Sequence, residues 1–366
     1  MKPIVQLVIV SVCAVLLSCN EPQPVTTEGN ATMQLIVVGD TSLTNSNMSY
    51  VPLKNAKVIL SSEYGVMIKY TDSEGKLILN NIASSTYSFS ARLIHPTYPY
   101  ILLVGTLKGK EIISGNVYTD TIKAVQVANT GIAINEIYSS GPVNNIFFFY
   151  DQFIELYNYS DEVRYLDGMS VMRMSGNTES GGKGPGADEG NDGDIDGVTY
   201  IFKFPGIPGE KNFPFYPKTY KVLASTAINH KNVVSTSFDL SHADWEFYNQ
   251  FSISDFNNPD VPNLINLRSD KTSDFLINLI SDVIVLASGV DSVWADGIDI
   301  STVIDGVQYK SSTTSSKTLD LRVDKSFMLS PSRYSGESMQ RREPGGDSND
   351  GISDWEIIHV ATPGSQ

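Results

Sequence analysis

The sequence predicts an all-β protein made of two successive β-sandwiches, and three observations point there. Short runs rich in β-branched and aromatic residues recur, separated by clusters of Gly, Asn, Asp and Ser. Helical periodicity is absent from residues 33–126. A chain of 366 residues with 41% hydrophobic content carries enough apolar surface for two cores.

The first element is a leader. "MKPIVQLVIVSVCAVLLSC" opens with one cation, Lys2, followed by an apolar stretch from Ile4 to Leu17 broken only by Gln6, Ser11 and Cys13. That stretch is short for a membrane-spanning helix, which needs ~20 apolar residues. A charged start, a short apolar centre and a small residue before the cut describe a secretory signal over residues 1–18. "LLSC" (Leu16, Leu17, Ser18, Cys19) resembles the bacterial lipobox. The resemblance implies that Cys19 becomes the acylated amino terminus, and several acyl chains on one residue anchor stably where a single chain does not. Asn20 rather than Asp after the cysteine implies sorting to the outer membrane, with the cell surface favoured over the periplasmic face. Cys13 leaves with the signal and Cys19 takes lipid, so no disulfide or cysteine nucleophile is expected beyond them.

Net charge is −15, and one unit more negative once Lys2 is removed. This argues against a nucleic-acid partner, which requires clustered cations, and against electrostatic docking on anionic lipid. Residues 19–32 are polar, carry Pro22 and Pro24, and read as a lipidated tether.

The first sandwich is expected over 33–126, with strands at 33–39, 56–62, 75–82, 87–94 and 100–107. Asp72, Ser73, Glu74 and Gly75 supply turn chemistry, Leu77 and Leu79 alternate into a core, and Ile82 closes it. The stretch "NAKVILSSEYGVMIKYTDSEGKLILNNIASSTYSFSA" resembles carboxypeptidase-regulatory-like (prealbumin-like) domains, implying a structural module despite the enzyme in their name.

The second unit is expected over 130–366. "INE" (Ile134, Asn135, Glu136), "FIELYN" (Phe153 to Asn158), then Val163, Leu166 and Gly168 resemble the lamin tail domain, an immunoglobulin-like sandwich. "VTYIFKFPGIPGEKNFPFYPKTYKVLAS" and the closing "GESMQRREPGGDSNDGISDWEIIHVATPGSQ" resemble later segments of that family. Alternation assigns Ile154 and Leu156 to the core face and groups Ile134, Glu136 and Tyr138 on one face. Three segments depart from the family pattern and read as inserts: 141–151 with adjacent phenylalanines, the acidic 177–197, and 242–267, which mixes aromatics with Asn, Asp and Pro. The whole arrangement resembles a family of bacterial outer-membrane lipoproteins, which implies a TonB-dependent transporter or another envelope protein as partner.

Glu136 and Glu155 pose the main chemical question. They are either an acid/base pair or acceptors that brace loops; both belong to the fingerprint of the lamins, which catalyse nothing, and the bracing reading is preferred. Asp192, Asp194 and Asp196 with Gly197 match the opening of a calcium loop, but Lys203 stands where the bidentate Glu belongs. A solvated acidic loop is the preferred reading, so no cofactor is expected, with calcium as the alternative. "GGDSNDGISDW" also resembles a calcium loop, short by one residue, and reads as a turn before Trp355; Trp245 and Trp355 read as packing residues. His95, His230, His242 and His359 lack metal-ligand spacing, and no nucleotide-binding or nucleophile-elbow motif occurs. Phe147 and Phe149, if on a strand, place a ring outward for a sugar or partner. Asp120-Thr121-Ile122 and Asp291-Ser292-Val293 resemble a short O-glycosylation acceptor. The expected function is a non-catalytic binding or scaffold lipoprotein; the alternative is a surface hydrolase using these carboxylates.

Overall fold

The computed structural model describes residues 29–41, 50–97, 101–128, 130–145, 147–176, 182–190 and 192–366. The signal 1–18, Cys19, most of the 19–32 tether and residues 177–181 of the acidic loop lie outside the described residues. Strands make up 41% of the structure and helix 3%, so the all-β expectation holds. Among the described residues no helix is long and apolar enough to cross a membrane.

The first unit contains β1 (Ala31–Asp40), β2 (Tyr50–Pro52), β3 (Lys57–Ser62), β4 (Gly65–Tyr70), β5 (Lys76–Ile82), β6 (Ser85–Ile94), β7 (Ile101–Ile112) and β8 (Val117–Ala128). β1 carries β2 and β5 antiparallel and β8 parallel. β4, β3, β6 and β7 form the other layer. β8 joins the layers: residues 117–124 pair with β1 and the following stretch pairs with β7. Where the layers part, Gly105 leaves room that a side chain would take, since a Cβ there would sit 2.8 Å from the Lys123 carbonyl oxygen. Leu35, Leu77, Leu79, Phe89 and Ile122 fill the core, with Ile82 at its margin, as the alternation of β5 predicts. Gly75 closes the turn at φ +71°, where a Cβ would meet the Val37 carbonyl oxygen at 2.7 Å. Asp72 Oδ1 accepts from the Glu74 and Lys76 N–H groups at 2.8 and 2.9 Å.

The second unit is two six-stranded sheets face to face. One runs Trp245–Glu246, Tyr220–Ala224, β10 (Phe153–Asn158), β9 (Ile132–Tyr138), Ser338–Arg341 and Trp355–Ile358. The other runs Ile265–Asn266, Val198–Lys203, Ser170–Met174, Asp282–Ala287, Val303–Lys310 and Met328–Leu329. Between them lies the main core, with Ile134, Ile137, Ile154, Leu156, Phe202, Ile284 and Leu286. Each sheet also has an apolar cover on its outer side. Phe153, Tyr138 and Val222 pack with Leu240 and Val261, whereas Met172, Val283 and Val285 pack with Leu319 and Val323. This double cover is why every residue of β9, β10 and Asp282–Ala287 is buried, and why these strands read as continuous runs more than as alternations.

Four expectations are corrected here. Ile134, Glu136 and Tyr138 do not share a face: Glu136 pairs with Glu155 and Ile134 with Leu156, so Asn135 is an extra residue, a β-bulge that returns Ile134 to the core beside Ile137. Residues 141–145 and 147–151 form turns and bends with no strand, so Phe147 is exposed by a turn and not by strand alternation. Segment 242–267 is no protruding insert, because it supplies one edge strand to each sheet and places Trp245, Phe247 and Leu264 in the main core. The turn before Trp355 is a single helical turn, Gly351–Asp354.

Candidate functional site

The two glutamates sit side by side on the outer face of the first sheet, as direct cross-strand partners. Like charges so placed repel, and both side chains are fully buried. The chain end supplies what they need. Glu136 accepts from the Thr362 N–H at 3.1 Å, from Thr362 Oγ1 at 2.9 Å and from Gln340 Nε2 at 3.0 Å. Glu155 accepts from the Gly364 N–H at 2.6 Å and from Asn135 Nδ2 at 3.1 Å. Burial pushes the Glu155 carboxyl up to about 8; Glu136 adds to this and the Gly364 N–H opposes it. Burial likewise raises Glu136, against the hydroxyl and amide donors around it. Asn135 completes the knot, donating also to Gln366 Oε1 and accepting from the Gly345 N–H at 3.0 Å. "TPG" thus meets both "INE" and "IEL", each more than 200 residues before it, through hydrogen bonds.

A second knot surrounds Arg341, one of the largest fully buried side chains. Its guanidinium reaches Asp305 at 2.8 Å, Asp347 at 3.3 Å and Asp354 at 3.5 Å, donates to the Ile134 carbonyl at 2.7 Å, and lies 4.9 Å from the Trp355 ring centre. Burial brings the Asp354 carboxyl up to about 7, Asp347 adds to this, and Arg341 opposes it. The loop that resembles a calcium site therefore already holds a cation, the guanidinium. Sequence reasoning missed this hub, as it missed Glu246, which is buried and accepts from the Ala227 and Asn258 N–H groups at 2.6 and 2.9 Å.

The other candidates are dispersed. Asp196 accepts from the Glu189 N–H, Asp192 from the Asp194 N–H, and Asp194 lies in a two-residue strand paired with Ile298–Asp299. Among the described residues no three acidic, His or Cys side chains converge on a metal position, so the three aspartates are not brought together. Phe147 is 83% exposed, whereas Phe149 is half-buried and stacks on Tyr150 at 5.4 Å. Phe148 packs edge-on against His230.

A cleft of about 500 Å³ opens where the two units meet, with half its lining from each. Asn55, Lys57, Arg92, Leu93 and Leu102 face Tyr157, Tyr159, Lys218, Glu343 and Pro344. Arg92 lies 4.2 Å over the Tyr159 ring and donates to the Gly345 carbonyl at 2.6 Å. Gly345 permits this approach at φ +63°, since a Cβ there would meet Tyr159 Cβ at 2.6 Å. Lys57 pairs with Glu343, yet burial, then Arg92 and Lys218, pull its ammonium down to about 8. Lys108–Asp350 and Ser348 Oγ to Ser90 Oγ at 3.1 Å extend the junction beyond the cleft.

Residues 217–296 match the family model described as a protein of unknown function (DUF4876). A crystal structure of a DUF4876 family protein from Bacteroides thetaiotaomicron superimposes with a TM-score of 0.53 at 17% identity, covering 89% of this chain and 94% of that one. That likeness shows a shared fold across both units. A candidate carbohydrate-binding protein from Bacteroides uniformis aligns over 40% of this chain and 61% of its own at 10% identity and a TM-score of 0.20, a level that carries no weight. No curated protein matches the chain.

Proposed function

We propose that this chain is an outer-membrane lipoprotein that binds or scaffolds and does not catalyse. Cys19 carries its lipid, the first sandwich is a stalk, and the second unit faces a partner or ligand at the cell surface. The observation behind this reading is the use of Glu136 and Glu155: both are fully buried and accept from N–H, hydroxyl and amide donors of 362–364, Gln340 and Asn135. A general acid or base must reach a substrate proton, and these oxygens reach the chain's own backbone. The lipobox at Leu16 to Cys19 and the polar stretch after it support the anchoring. A TonB-dependent transporter is the partner class that the arrangement suggests.

The test is metabolic labelling of the native host with an alkyne fatty acid, followed by envelope fractionation and in-cell crosslinking. Wild type should carry label, fractionate with the outer membrane and crosslink to a barrel protein, whereas Cys19→Ala should lose label and anchoring together. Label-free wild type, or unchanged fractionation of the variant, overturns the anchoring. A crosslinked complex without any barrel protein overturns the partner.

A further inference from the structure

We propose that the cleft between the two units binds a sugar acid, a hydroxylated ring bearing a carboxylate. The proposal rests on the binding reading above and names its ligand class. The first argument is charge. In a chain of net charge −15, this cleft gathers Lys57, Arg92 and Lys218 around one lining acid, Glu343. Asp161, which pairs with Lys218 at 3.2 Å, is 93% exposed and screened by water. Arg92 and Lys218 repel the Lys57 ammonium, and an anion placed among the three would relieve that repulsion.

The second argument is an open polar group. Asn55 lines the cleft and is exposed, and its amide can both donate to and accept from a ligand hydroxyl. The third argument is shape. Leu93, Ile94 and Pro344 offer apolar surface beside these charges, and a cleft of about 500 Å³ suits one or two rings. Carboxylate, hydroxyl and ring face together describe a uronate.

The experiment uses the full-length protein in detergent and a matched pair of probes, 4-nitrophenyl glucuronide and 4-nitrophenyl glucoside. The two differ in carboxylate versus hydroxymethyl. Calorimetry should show the glucuronide binding at least about tenfold more tightly, a difference of about 1.4 kcal/mol, and weakening severalfold as salt rises. Lys218→Glu, on an exposed side chain, should lower the glucuronide affinity more than tenfold with an unchanged melting temperature. Lys231→Glu makes the same charge change outside the cleft and should leave affinity within about twofold. Equal binding of the two probes, no binding of either at millimolar concentration, or an unaffected Lys218→Glu variant each overturns the proposal. Release of 4-nitrophenol would instead overturn the non-catalytic reading while leaving the cleft's ligand class standing.

Discussion

The two units of this chain solve the same architectural problem by different chemistry. The first sandwich, in its β1–β5 layer, buries one face and leaves the other wet, as the alternating exposure of β5 shows, and its core is aliphatic and aromatic. The second buries both faces of its sheets and therefore has to bury charge as well, including Arg341, Asp305, Asp354, Glu136 and Glu155. What joins distant segments in the first unit is pattern. In the second it is a set of individually addressed polar bonds, such as Thr362 to Glu136 and Arg341 to Asp305. Thicker layering thus shifts specificity from hydrophobic period to polar partner choice.

That contrast can be broken most severely at Arg341. Arg341→Met leaves the buried Asp305 and Asp354 and the half-buried Asp347 without their cation and should cost about 3–5 kcal/mol. All three tryptophans, Trp245, Trp294 and Trp355, lie in the second unit, so their fluorescence reports on it alone. The variant should lose its tryptophan unfolding transition or shift it well below wild type. An unchanged transition would mean that the buried carboxylates neutralise without penalty. Next in size, Leu35→Ala in the first core should cost about 3 kcal/mol. It should lower a far-ultraviolet transition while tryptophan fluorescence keeps its midpoint. A joint shift of both signals would show that the Lys57–Glu343 and Lys108–Asp350 contacts make the units cooperative.

The smallest effect is a slope. Glu155 has a folded value of about 8 against an ordinary 4.5, so between those pH values the folded protein holds a proton that the unfolded chain has released. Its contribution to stability is present at low pH, declines as pH rises through this window and is gone above it. Glu155→Gln has no proton to lose. Melting temperatures at pH 5 and 8.5 should therefore differ less in the variant than in wild type. Parallel slopes would place the titration elsewhere.

Much of the first unit was legible because alternation survives where one face is wet. The strands at β3, β5, β6 and β7 and the Asp72–Gly75 turn follow directly from residue pattern. β2 and β8 went unread; the first is three residues long, and the second changes partner midway. In the second unit the fingerprint residues were visible but their partners were not. Nothing local indicates that Arg341 needs Asp305, because that choice is made by tertiary packing. Segment 242–267 misled for a related reason. Its Asn and Asp content suggests a free loop, but Asn249 donates to the carbonyls of Lys271 and Ser273, and Asn258 to those of Ala227 and Ser241. Those polar side chains satisfy buried backbone. The packing of Trp245 and Trp355 was read correctly from context. The cleft was invisible because its cations come from 57, 92 and 218, positions that only the meeting of the units makes neighbours.

Asn135 sets the reading frame of β9. Upstream of it one parity of residues faces the core, and downstream the other does. Pairing Asn135 in regular register would turn Ile132 and Ile134 out and Ala133 in with no change in the hydropathy of the segment. Insertions and deletions elsewhere in this strand should thus be far more damaging than substitutions, and a profile built on hydropathy alone would not register the harm.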